Sequence, residues 1–155
     1  MANEQSSTSD RELLITRTIN APIELVWEVW TQPEHISKWW GPNGFSTDIS
    51  VMDVEAGGAW DLVMLSPDGT VYPNRSVFRE VIPFKKLVYD HISHPHFTAT
   101  VEFEALGEQT FLKWQMLFES AELLRGVVKA HNAAEGLKQN VAKLDAYLQN
   151  RKAGL

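Results

Sequence analysis

Two hydrophobic periods divide this chain. Residues 13–19 form a β-branched stretch of strand length with partial alternation, closed by Asn20-Ala21-Pro22. Ile23, Val26, Trp27 and Trp30 then recur at helical spacing, with Pro22 suited to the first turn and Asn20 a candidate cap just upstream. Gln32-Pro33 interrupts that run, and a second short helix is expected over 34–39, ahead of Gly41-Pro42-Asn43-Gly44.

From residue 45 to residue 119 the period falls to two, and six strands are expected at 45–53, 59–65, 71–81, 87–93, 97–105 and 110–119. Turn signals separate them: Ala56-Gly57-Gly58, Ser66-Pro67-Asp68-Gly69, Pro83, His94-Pro95 and Gly107-Glu108. Such short connections favour an antiparallel meander. A long helix closes the chain, with Ser120 as its cap and Glu122 favouring the dipole of its first turn. Leu137, Val141, Leu144 and Leu148 give it an apolar stripe, and Gly126 and Gly136 mark where it is expected to bend.

The predicted class is therefore α+β: a curved seven-stranded antiparallel sheet against a long C-terminal helix, with two short helices after the first strand. Residues 1–10 are expected to be a disordered polar tail and residues 11–152 a single domain. A chain of 155 residues, 44% of them hydrophobic, is long enough to bury a core of its own.

Charge and cysteine usage narrow the function classes. The net charge of −6 sets the chain against phosphate backbones and anionic lipid, so neither nucleic acid nor a membrane surface is an expected partner. Without cysteine there is no disulfide framework, thiolate nucleophile or Cys-ligated zinc site. The opening MANEQSSTSD has neither a basic segment nor an apolar one, and a cytoplasmic location is expected. Monomer and homodimer both stay open.

Catalytic signatures are missing: no Gly-x-Ser-x-Gly, no phosphate loop, no dinucleotide glycine fingerprint and no His-Glu-x-x-His. His91, His94 and His96 invite a metal reading, but Pro95 suggests a turn and nothing completes a ligand set, so no metal and no cofactor are expected. Glu80 and Asp61 could serve as a general base only if they point inward, and the simpler expectation places both in solvent.

The richer signal is a pocket. A curled sheet covered by one helix leaves a gap, and such gaps take small molecules. Of the six tryptophans, Trp27 and Trp30 share a helical face and should pack on the sheet. Consecutive Trp39 and Trp40 cannot share a face, so one should plug the core while the other lies near the loop before Phe45. Along residues 71–81 one strand face carries Tyr72, Asn74, Ser76, Phe78 and Glu80, a mixture of aromatic surface and polar groups suited to orienting a ligand. The last strand turns Leu112, Trp114, Met116 and Phe118 to one side. Candidate ligand-binding residues are Trp40, Phe45, Trp60, Tyr72, Ser76, Phe78, His91, Trp114, Met116 and Leu137. His91 is either a donor or base in the cavity or a satisfied structural histidine.

These residues also carry a family likeness. Ile19, Ala21, Pro22, Val26 and Trp27 make the pattern Ile-x-Ala-Pro-x-x-x-Val-Trp, which resembles the opening of START-like proteins of the SRPBCC superfamily. Trp39-Trp40-Gly41-Pro42, Gly57-Gly58 with Trp60, Pro67-Asp68-Gly69 and Phe78-Arg79-Glu80-Val81 narrow the resemblance. They are similar to the AHSA-type family, homologues of the activator of the ninety-kilodalton heat-shock chaperone's ATPase. Glu135-Gly136-Leu137 and the segment from Leu144 to Leu148 resemble its closing helix, with Leu137 where a Trp is more usual.

The resemblance implies a helix-grip fold around an apolar cavity. A small hydrophobic ligand is the expected partner, with a cyclase- or dehydratase-like enzyme and a heat-shock chaperone partner as alternatives.

Overall fold

The structure, a computed structural model, describes residues 9–154. The tail expected over 1–10 lies mostly outside the described residues, and Ser9–Arg11 form a 3-10 turn. Arg11 ties that turn down by donating from Nη1 to the Phe118 carbonyl at 2.9 Å.

Seven strands follow the predicted order: β1 (Glu12–Ile19), β2 (Ser46–Met52), β3 (Ala59–Leu65), β4 (Val71–Ile82), β5 (Lys86–His91), β6 (Phe97–Leu106) and β7 (Gln109–Phe118). They form one sheet in the order β1-β7-β6-β5-β4-β3-β2, antiparallel at each junction. β2 to β7 are a plain meander, because each pair is joined by a short turn. β1 closes the far side, where the two short helices α1 (Ile23–Thr31) and α2 (Pro33–Trp39) carry the chain across to β2.

The closing helix differs from the expectation. It is two helices, α3 (Ala121–His131) and α4 (Ala133–Gly154). The break falls at Asn132, with φ 51° and ψ 51°, and both Gly126 and Gly136 stay inside helical segments. A helical glycine only weakens its turn, whereas asparagine tolerates the left-handed conformation that ends one. Ser120 caps α3 as predicted, its Oγ accepting from the Leu123 N–H at 3.0 Å.

The core lies between one sheet face and the helices. Val141, Leu144 and Leu148 of α4 are fully buried, as are Val26 and Trp30 of α1 and Ile36 and Trp39 of α2. Trp30 meets Trp39 and Trp114 edge to face, each at 4.9 Å between ring centroids. Trp27 packs on Phe103 at 5.4 Å. The apolar stripe of α4 from Val141 onward meshes with this cluster. Its first turns, at Ala133, Gly136 and Leu137, border open space instead.

Candidate functional site: a two-chambered cavity

Five strands and the start of α4 line the inner chamber, about 220 Å³ in volume. Register explains its wall. Trp60 of β3 pairs with Ser76 of β4, Ser76 with His91 of β5, and His91 with Phe97 of β6, so these four residues form one row across the sheet. Period-two alternation turns the whole row to the same face. Tyr89, two residues before His91, and Trp114 and Met116 of β7 complete the floor, and Leu137 and Asn140 of α4 face it.

An outer chamber of about 900 Å³ lies beyond, between the β3–β4 end of the sheet and α3. Pro42, Met64, Asn74, Pro95 and Gly136 line both chambers and form a collar between them. α4 fixes one side of the collar through three side chains. Asn140 donates from Nδ2 to the Trp39 carbonyl at 2.8 Å, and its Oδ1 accepts from the Gly41 N–H at 3.1 Å. Lys143 Nζ donates to the Gly41 and Pro42 carbonyls, at 3.2 Å each, and burial lowers its pKa. Gln139 accepts from the Asn43 N–H at 3.0 Å.

Among the described residues no Asp, Glu, Lys or Arg side chain lines the inner chamber. Its polar groups are few and neutral. Ser76 is only 5% exposed, and its hydroxyl has no hydrogen-bond partner among the described residues. Burial raises the Tyr89 pKa, partly offset by the neighbouring Trp114 indole, so Tyr89 keeps its phenolic proton. His91 stands with Nδ1 2.7 Å from the Pro95 carbonyl and Nε2 2.6 Å from Asn74 Oδ1, while its ring stacks on Phe97 at 4.6 Å. Burial is the largest influence on its pKa and lowers it.

The chain matches the family described as "Activator of Hsp90 ATPase homolog 1-like protein" over residues 20–149. It belongs to this family. Similar solved structures agree on the architecture. A crystal structure of a protein from Nitrosomonas europaea is 26% identical, with a TM-score of 0.84 over 94% of this chain and 98% of that one. A solution structure of a protein from Arthrobacter aurescens is 23% identical, with a TM-score of 0.86 over 92% and 88%. A crystal structure of a protein from Mycobacterium smegmatis is 23% identical, with a TM-score of 0.82 over 93% and 94%. Among curated proteins none matches.

Within this family member the ten predicted site residues separate into three groups. Trp40, Trp60, Ser76, His91, Trp114, Met116 and Leu137 line the inner chamber. Phe45 and Tyr72 line the outer one, their ring centroids 6.0 Å apart. Phe78 lines neither. It is fully buried under Trp60, the two rings stacked at 5.3 Å and 4°. Strand parity gives the side of the sheet but not which of two inward rings lies uppermost.

Parity also breaks after Phe78. A bulge between Phe78 and Glu80 shifts the register, and Glu80 turns out to pair with Lys86 at 3.4 Å. Asp61 is likewise outward, 3.7 Å from Arg75. Neither carboxylate reaches the cavity. The three histidines diverge: His91 lies inside, His94 borders the outer chamber, and His96 is 3.2 Å from Glu119. Among the described residues no group of three or more His, Asp or Glu side chains gathers to hold a metal. Tyr89 and Asn140 were not singled out from sequence, although Tyr89 shares the parity of His91 and could have been found by it.

Proposed function

We propose that this protein binds a small apolar or aromatic molecule in the inner chamber, as a carrier or sensor, with the outer chamber as its way in. The observation that carries this reading is a space of about 220 Å³ whose wall is aromatic and apolar apart from a few neutral polar groups. That is the make-up of a ligand pocket, in which apolar area supplies affinity and few polar atoms fix orientation. An enzymatic reading has less support, since Glu80 and Asp61 point away and both nitrogens of His91 are engaged by Pro95 and Asn74. Among the described residues no helix is long and apolar enough to cross a membrane, and a cytoplasmic carrier remains our reading.

Native mass spectrometry of protein purified from its host tests the proposal. The expected result is a bound small molecule, or a thermal shift with members of a hydrophobic library. An empty protein that no library member stabilises would contradict it. The family description favours a second reading, contact with a heat-shock chaperone on the outer surface. Pull-down and ATPase assays with the host's own chaperone test that reading, and blank results in both would remove it.

A further inference from the structure

We propose that the ligand is an uncharged molecule of one or two fused rings carrying a hydroxyl or carbonyl oxygen, and that Ser76 and Tyr89 read that oxygen. The inference rests on the binding reading above and names the chemistry of its ligand.

Size comes first. A dry cavity of about 150 Å³ accommodates benzene. The inner chamber, at about 220 Å³, accommodates a second ring or a few substituents. Trp40, Trp60, Trp114 and Phe97 offer the flat surfaces against which rings stack or meet edge-on.

Charge comes next. An ionised group buried here would find no opposite charge on the wall, because among the described residues no Asp, Glu, Lys or Arg side chain lines the chamber. His91 cannot rescue an anion, since its Nδ1 and Nε2 already face Pro95 and Asn74. The outer chamber adds to this selection: Glu122 and Glu135 line it with His94, and among the described residues no Lys or Arg does. An anion is disfavoured on the way in and again inside.

The oxygen follows from two hydroxyls. Ser76 pairs with His91 and Phe78 with Tyr89 across β4 and β5, which makes Ser76 and Tyr89 diagonal neighbours on the chamber face. Diagonal neighbours lie within reach of a long side chain such as tyrosine, so one ligand oxygen can contact both. The Ser76 hydroxyl has no protein partner among the described residues, so it is free to bond a ligand oxygen.

The test is calorimetric titration of the full chain at pH 7.5 with three probes of one shape: naphthalene, 2-naphthol and 2-naphthoate. The expected order places 2-naphthol about tenfold tighter than naphthalene, from its hydrogen bonds. It also places 2-naphthol about a hundredfold tighter than 2-naphthoate, from the unpaired buried charge. Ser76→Ala and, separately, Tyr89→Phe should each reduce the advantage of 2-naphthol over naphthalene, with circular dichroism confirming the fold. Equal binding of 2-naphthol and naphthalene, or binding of 2-naphthoate as tight as either, overturns the inference while the binding reading survives. Failure of all three probes removes that reading as well.

Discussion

Asn74 Oδ1 lies 2.6 Å from His91 Nε2 on the collar between the chambers. The opposite ring nitrogen lies 2.7 Å from the Pro95 carbonyl, so both nitrogens face oxygen acceptors. A neutral imidazole has one N–H and can donate to only one of them. Turning the Asn74 amide over would not help, because its Nδ2 already donates to the Tyr72 carbonyl at 2.9 Å. The geometry favours an imidazolium, yet burial in an apolar wall disfavours the charge, and burial prevails: the His91 pKa lies below 6.5.

A pH dependence follows from this opposition. Because the folded state holds His91 less readily protonated than the unfolded chain, acid favours unfolding. The contribution to stability is fully present above the unfolded pKa of 6.5 and is lost as pH falls from there through the lower folded value. Urea denaturation between pH 7.5 and pH 5 should show stability falling, and His91→Gln should flatten that slope. An unchanged slope in His91→Gln would assign the acid sensitivity to other groups.

Asn140 should be worth more to stability than a polar residue on a helix usually is. Its amide satisfies the Trp39 carbonyl and the Gly41 N–H, both in buried surroundings. Asn140→Ala leaves two buried backbone groups without partners and should cost about 2–4 kcal/mol. Denaturant midpoints measure this, and a loss under about 1 kcal/mol would mean that water replaces the amide.

Gly136 lines both chambers, so a side chain there should affect passage more than folding. A methyl group added there would stand 3.4 Å from Pro42 Cγ, at the edge of ordinary contact. A longer side chain must enter the collar. Gly136→Leu should therefore keep the protein folded, offset partly by a helix-propensity gain of about 0.8–1 kcal/mol, while slowing or abolishing ligand uptake. Stopped-flow tryptophan fluorescence with 2-naphthol reads the rate, and unaltered uptake would place the route elsewhere.

Phe78 should behave as core. Phe78→Ala removes the ring beneath Trp60 and should lower stability by about 3–5 kcal/mol. A small stability change with a large loss of affinity would instead restore Phe78 to the ligand wall.

The contrast between Phe78 and Ser76 shows what the sequence could carry. Period-two alternation was legible along each strand, and through it Trp60, Ser76, His91, Trp114 and Met116 reach the inner chamber. Three features were not. The bulge after Phe78, which sends Glu80 outward, leaves no local mark in Phe-Arg-Glu-Val. The break at Asn132 was hidden because two glycines nearby offered a more familiar breaking signal, whereas the left-handed turn fell to an asparagine. The latch from Asn140 to Trp39 and Gly41 joins residues about a hundred positions apart, a separation beyond any periodicity argument.

The space between sheet and α4 is the claim beneath all the others, and the methyl groups of Met116 and Leu137 border it from opposite sides. Nuclear Overhauser contacts from saturating 2-naphthol to both methyls are the most direct measurement. The account predicts ring-proton contacts to Met116 and Leu137 together, lost in Leu137→Trp, which fills the chamber. Contacts confined to exposed residues such as Leu14 or Val71, or contacts that persist in Leu137→Trp, would contradict it.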